Sequence, residues 1–465
     1  MTPEVSIQQP ETPGANLVSK IGFYFLRAYL FLFFSRILDV TVPQLHLPAV
    51  CFACASLLAL LSGGALRILF SPIGRVLIGL ATWIGVAFCF STWRGGSLDA
   101  VLATLQATAL AAVLVALTRT PRDCGALLKT LAFASLAAAF LGLVAGQEVE
   151  GRLSVTAGSL ADPNEYAMSL LFGVPCWLYI VKSGSLFTKL ASVPCLGFIM
   201  LIFLRTGSRG GVIGLACMLG VLFLQATVRQ KVLLVVASVF FFFIATLVLP
   251  HYITTRYTTL WTVDASEATS DEELERMTGA DVGSALARRQ LLLDALKLTA
   301  QHPLFGVGPD QFAYVNWSLK VKQGIHMHDF VTHNTYTQFS SETGIPGFVL
   351  YITILVITFS ALNRIRKLAS MPSGLPPEVG DVATSMRLAL TVLAACSFFL
   401  SIAYSPTIPV MLCLCGALAL SVNLESYAPV SLNGVQLNNP VAANSTLFQS
   451  PLKPAMTRMP PVRGR

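Results

Sequence analysis

Apolar residues run along most of this chain in long stretches that approach the roughly 20 residues a helix needs to cross about 30 Å of hydrocarbon. They lack the period-two alternation of barrel strands, so a bundle of spanning helices is the predicted architecture. About twelve spans are read, beginning near Ile21, Pro48, Val76, Leu98, Gly125, Tyr166, Leu186, Gly210, Val232, Pro346, Leu388 and Thr407. Turn residues, prolines and charges punctuate the joins, as in T-R-T-P-R-D from Thr118 to Asp123. The N-terminal stretch through Asn16 is polar and carries no Lys or Arg, and no small-residue cleavage site clearly follows the first apolar run, so that run reads as a retained span.

The pattern divides the chain into an N-terminal segment (1–20), nine spans (21–249), one long polar connection (250–345), three further spans (346–424) and a tail rich in Asn, Pro and Ser (425–465) expected to be disordered. The long connection is itself subdivided. Asp264 to Asp281 is acidic and polar, Ala285 to Gln301 has helical periodicity, and Thr332 to Thr343 reads as a helix leading into the tenth span.

Composition agrees with lipid as the solvent: 54% of the 465 residues are apolar and 12% charged, with a mean hydropathy of +0.70. The net charge of +8 invites a nucleic-acid reading, but the distribution argues against it. With the N-terminus inside, the inner connections hold Arg67, Arg75, Arg119, Arg122, Lys129, Lys182, Lys189, Arg229, Lys231, Arg364, Arg366, Lys367 and Arg387; the short outer ones hold only Arg94, Arg152, Arg205 and Arg209. This asymmetry sets both termini in the cytoplasm and the long connection outside. All six histidines then fall on outer connections, His46 on the first and His251, His302, His326, His328 and His333 on the long one. Nine of the ten cysteines lie in apolar stretches, and the Cys51/Cys54 pair has no second pair beside it, so they read as small packing residues.

Four segments carry candidate chemistry. In R-T-G-S-R-G-G, Arg205 to Gly211, Ser208 can cap a span, Gly210 lets a ligand approach the backbone, and the helix N-terminus with Arg209 suits a phosphate. The bland alternative is an interfacial arginine and helix-packing glycines. In Ala287 to Pro309, Arg288 shares a helical face with Leu291, Leu292, Ala295 and Leu296, whereas Arg289 lies nearer the face of Lys297; two arginines on a solvated helix can also serve solubility alone.

In the third segment, His326 to Gly347, the group His326, His328, Asp329 and His333 lacks the H-E-x-x-H spacing of a metal site. His333, followed by Asn334, Thr337, Gln338 and Glu342, suits general base work near neutral pH, or is simply a polar loop residue. In the fourth, Arg152 to Tyr166, Asp162 or Asn164 can cap the helix that follows. Arg36, near the end of the first span, can pair with Asp39 at i+3.

Taken together, T-G-S-R-G-G, A-R-x-x-L-L-x-x-A-L-x-L-x-x-x-H-P-L-F-G-V-G-P and T-H-N-T-Y-x-Q-x-x-x-E-T-G-I-P-G resemble the O-antigen ligase and polymerase superfamily in order, spacing and twelve-span setting, most strongly from Arg152 to Gly347. The resemblance implies an all-α polytopic fold of the C-type glycosyltransferase kind, with a large extracytoplasmic helical loop between spans nine and ten. It also implies transfer of a glycan from a polyprenyl pyrophosphate carrier to a lipid or glycan acceptor, with no nucleotide sugar, essential metal or other cofactor.

Carried onto this chain, Arg209 and Arg288 match the arginines that hold the donor pyrophosphate, and His333 matches the catalytic histidine. Ser208, Gly210, Arg289, Asn334 and Arg152 are the further substrate-binding candidates. Leu292 stands where the family often has an aromatic residue, and Ala287 where it often has glycine. A transporter or flippase of an anionic lipid-linked substrate, and a transferase that glycosylates protein, are the competing readings; a transporter should bind near mid-membrane.

Overall fold

The computed structural model describes residues 13–149, 151–248, 250, 280–324, 330–372, 374–423, 431–432 and 435–436. Each of the twelve apolar stretches forms a helix: α1 (Pro13–Ser35), α3 (Leu47–Leu61), α4 (Pro72–Cys89), α5 (Arg94–Leu117), α6 (Pro121–Val144), α7 (Pro163–Ser183), α8 (Leu186–Arg205), α9 (Arg209–Gln225), α10 (Val228–Val248), α13 (Thr335–Ala369), α14 (Pro377–Cys396) and α15 (Thr407–Ser421). The other α-helices among the described residues are the short α2 (Ile37–Thr41), then α11 (Ala280–Gln301) and α12 (Phe312–Lys322).

Nine helices among the described residues are long and apolar enough to cross a membrane; α3, α9 and α15 are shorter apolar helices. The centre of the bundle is built from α5, α6, α7, α14 and α15, whose Ala, Leu and Cys side chains are largely buried. α10 is almost wholly exposed, as a helix facing lipid would be. Basic side chains finish the ends of several helices. Arg67 donates to the carbonyl of Val115 (3.0 Å) and Arg119 to that of Ser62 (3.1 Å), meeting the negative ends of α5 and α3. All ten cysteines are free thiols.

The long connection holds more structure than its sequence pattern suggests. α11 packs Leu291, Ala295 and Leu298 against Val307, Phe312 and Val315, so α12 closes a small core of its own. The packed stripe therefore runs 291–295–298, one turn-step away from the face expected for Leu296, which is 50% exposed. His251, His326, His328, Asp329 and the acidic stretch before Ala280 lie outside the described residues, as does most of the expected tail. The second compact unit begins at Asn423 and contains a two-stranded antiparallel pair, Ser431–Leu432 with Val435–Gln436.

A break in α13 ties this connection to the bundle. Gly344 takes φ 75 and ψ −179, a region open only to glycine. Ile345 donates its N–H to Pro303 instead of Ser341, and Pro346 has no N–H to give Glu342. The two carbonyls thus released accept from Val307 (2.9 Å) and Gly308 (3.0 Å), and that of Thr343 accepts from Trp83 Nε1 (2.8 Å). The Glu342 carboxylate completes the clasp, accepting from Asp310 N (3.0 Å), Phe312 N (3.4 Å) and Tyr404 Oη (2.7 Å). The G-I-P-G break and the F-G-V-G loop are therefore two halves of one hydrogen-bonded joint.

A Cβ at Gly344 would sit 2.1 Å from the Leu304 carbonyl oxygen. Gly344→Ala is expected to cost about 1–3 kcal/mol from backbone strain alone. The checking measurement is the apparent melting temperature in detergent; an unchanged value would mean that the joint does not hold the loop.

Candidate active site

The local structure around Arg209 follows from a tight turn between two helices. α8 ends at Arg205, Gly207 turns the chain at φ 60, and Ser208 caps α9 by accepting from Gly211 N at 3.1 Å. Ser208 is buried and donates to Asn164 Oδ1 at 3.0 Å. The same Asn164 oxygen accepts from Arg152 Nη2 at 2.7 Å, while Arg152 Nε donates to the Thr206 carbonyl at 3.0 Å. Arg152 lies on the hairpin β1 (Gln147–Val149) and β2 (Arg152–Ser154), which Arg205 also grips through Glu148 at 3.2 Å. The hairpin, the start of α7 and the α8–α9 turn are thus one hydrogen-bonded unit that aims half-buried Arg209 from the first position of α9.

Gly210 and Gly211 are filled on one side by neighbours. A Cβ at Gly210 would lie 2.6 Å from Phe399 Cβ, and one at Gly211 2.8 Å from the Phe203 ring. Close helix packing alone accounts for glycine at both positions.

His333 is placed by an equally rigid corner. It has φ 48, and both neighbours are fixed: Thr332 Oγ1 lies 3.0 Å from Ser401 Oγ, and Asn334 caps α13 by accepting from Tyr336 N (3.0 Å) and Thr337 N (3.2 Å). Next along, Thr335 donates its N–H to the Ser397 carbonyl and its hydroxyl to the Leu400 carbonyl, at 2.8 and 2.6 Å. Phe399, on that same stretch, packs on Gly210. The 397–401 segment therefore joins the Arg209 helix end to the His333 corner.

Two charges act on His333, which burial first and the Arg288 guanidinium second hold below the usual imidazole pKa, with Asp162 pulling the other way. Arg288 is half-buried on α11, on the packed stripe, whereas Arg289 is exposed. Asp162 is the N-cap of α7, accepting from Asn164 N (2.7 Å) and Glu165 N (3.0 Å).

Sequence reasoning read Asp162 and Asn164 as alternative caps. The structure gives Asp162 the cap, from which its charge acts on His333, and gives Asn164 the bridge between Arg152 and Ser208. Arg36 was passed over as the partner of Asp39. That pair forms at 3.0 Å, but the guanidinium also lies 4.3 Å over the Phe33 ring and against Gly158, and its charge reaches Glu165. No sequence signal links these positions to a histidine so far along the chain.

Residues 194–352 match the O-antigen ligase family model. The match covers about a third of the chain and supports the resemblance to the O-antigen ligase and polymerase superfamily carried by its motifs. The matched region runs from α8 into α13 and contains Ser208, Arg209, Gly210, Arg288, Arg289, His333 and Asn334, while Arg152 precedes it. With nine helices long and apolar enough to cross a membrane among the described residues, the match is consistent with a multi-pass membrane protein similar to glycan-transferring ligases. No curated protein matches the chain.

Proposed function

We propose that this protein transfers a glycan from a polyprenyl pyrophosphate carrier to a hydroxyl of a lipid or glycan acceptor, on the extracytoplasmic side of the plasma membrane. The observation that carries the reading is the fixed corner at His333, joined through 397–401 to the Arg209 helix end, with the charges of Arg288 and Asp162 both acting on the imidazole. Counting α3, α9 and α15 as spans makes twelve, which puts the starts of α7, α9 and α13 on one side together with residues 250–345. Lys182 pairs with Asp381, and Arg366 with Thr384 and Gln225, at the opposite helix ends, consistent with a basic cytoplasmic face and cytoplasmic termini.

In this mechanism the acceptor oxygen attacks the anomeric carbon as its proton passes to neutral His333. The bond from that carbon to the phosphate oxygen breaks, and its electron pair leaves with the pyrophosphate, inverting the centre in one displacement. Arg209, Arg288 and the positive end of α9 neutralise the leaving group, which needs charge compensation more than protonation. Ser208 and Gly210 shape the turn that presents Arg209; Asn334 and Arg152 hold the two corners; Arg289, exposed beside Arg288, is a further substrate contact.

The test is transfer by the reconstituted full chain from a purified polyprenyl pyrophosphate glycan to lipid, glycan and peptide acceptors offered separately. Product with a lipid or glycan acceptor is the expected result, and the acceptor used separates ligase from polymerase. Product with peptide alone makes it a protein-glycosylating transferase. Movement of the donor across the bilayer with no product overturns the enzyme reading in favour of a transporter.

A further inference from the structure

The geometry points to a saccharide-binding platform formed by Trp93, Tyr314 and Trp317, away from the reacting atoms, for the sugar chain of the substrate. The inference rests on the glycan-transfer reading and adds where the glycan lies.

Trp93 is the residue preceding α5, and Tyr314 and Trp317 stand at i and i+3 on α12, on one face of it. The ring centroids of Trp93 and Tyr314 are 5.4 Å apart, and those of Tyr314 and Trp317 are 6.4 Å apart. The three side chains are 54%, 43% and 39% exposed. The Trp93 indole rests on bare backbone: a Cβ at Gly96 would lie 2.6 Å from its Cε3, and one at Gly95 2.9 Å from its Nε1. Two glycines thus seat the ring from below and leave other parts of it open.

A buried amide lies beside the ring. Gln311 is 2% exposed, its Nε2 donates to the Asp310 carbonyl at 3.2 Å, and its Oε1 has no hydrogen-bond partner among the described residues. The Nε2 end of this amide lies by the seat of the ring, since a Cβ built at Gly96 would be 2.8 Å from it. Asp310 and Asp99 stand exposed beside it and close enough for Asp99 to raise the Asp310 carboxyl.

Aromatic faces with carboxylate acceptors beside them suit the C–H faces and hydroxyls of a neutral sugar. Two carboxylates disfavour the pyrophosphate and anionic lipid headgroups, which are the ligands an ordinary interfacial aromatic belt would meet. The platform is rigidly tied to the reaction centre, because Glu342 on α13 holds the Asp310 and Phe312 N–H groups. At 1.5 Å per residue, Glu342 lies about 10 Å along the helix from Thr335, next to His333.

The experiment compares wild type, Trp93→Ala, Trp93→Phe and Trp317→Ala in nanodiscs, with donors carrying one or several sugars. Saturation-transfer NMR is run in parallel with the free oligosaccharide cleaved from the longer donor. Loss of one aromatic contact should raise KM for the long-glycan donor about tenfold, with kcat and the one-sugar KM unchanged and Trp93→Phe partly rescued. Free oligosaccharide should show saturable contacts in wild type that Trp93→Ala and Trp317→Ala lose.

Equal KM changes for short and long donors, or no change at all, overturn the platform while leaving the transfer reading intact. Variants that lose only their tryptophan response to bilayer insertion identify the rings as membrane anchors, which also overturns it. Oligosaccharide binding by a wild type that transfers nothing has the opposite meaning: the site stands and the transfer reading falls.

Discussion

His333→Ala should lower kcat by about 10²–10⁴-fold while leaving donor binding nearly unchanged. The distinction follows from what the side chain touches in the proposed reaction: the acceptor proton moves only in the transition state, so its loss removes rate and little affinity. His333 is also an unusual residue to lose structurally. It holds a left-handed backbone conformation, but the corner is fixed by Thr332, Asn334 and Thr335, none of which needs the imidazole. The Ala variant should therefore melt near wild type, and an inactive variant that has also unfolded would not support the role. Arg288→Ala should instead raise the donor KM as well as lower kcat, with Arg288→Lys recovering part of the charge but not the forked geometry.

The pH dependence separates these two residues further. Burial and the Arg288 charge lower the His333 pKa, so the imidazole remains neutral and competent as a base through neutral pH. Activity should fall only as pH drops below the ordinary histidine range of about 6.5 and the base takes up a proton. Removing Arg288 takes away a lowering influence, so the acid limb of kcat/KM should move to higher pH in Arg288→Ala. Asp162→Asn removes the opposing influence and should move it lower. Limbs that stay in place in both variants would mean that another group sets the profile.

The long apolar helices were legible because lipid imposes a simple demand, about 20 apolar residues, repeated, and nine such helices stand among the described residues. Local motifs were legible for a similar reason, since a Ser before a Gly-rich helix start states its own cap, and Ser208 makes it. What stayed hidden depends on distant pairing. Asn164 bridges Arg152 and Ser208, and the charge of Asp162 acts on His333, and nothing within either short segment announces the other. α12 was missed because its stripe of Phe312 and Val315 is short and packs on α11 rather than on lipid. Gly210 looked like a place for a ligand because glycine clears space, but sequence does not say for whom; the side chain of Phe399 takes one side of it.

Arg152→Ala should destabilise the protein by about 2–4 kcal/mol and reduce transfer along with it. Its guanidinium is buried and serves two acceptors at once, the Thr206 carbonyl and Asn164 Oδ1, in the turn that carries Arg209. Without it, both oxygens lose a charge-assisted donor where water has poor access, and Asn164 is left to Ser208 alone on that oxygen. Arg152→Lys should fall between, because an ammonium at the end of a flexible stem cannot reproduce the fork. The measurement is apparent melting temperature beside kcat and KM for the same preparations. A positioning role lowers stability and kcat together, through a turn that no longer aims Arg209. Direct contact with substrate would instead raise KM in a protein that melts like wild type, and that outcome would move Arg152 from the scaffold into the binding site.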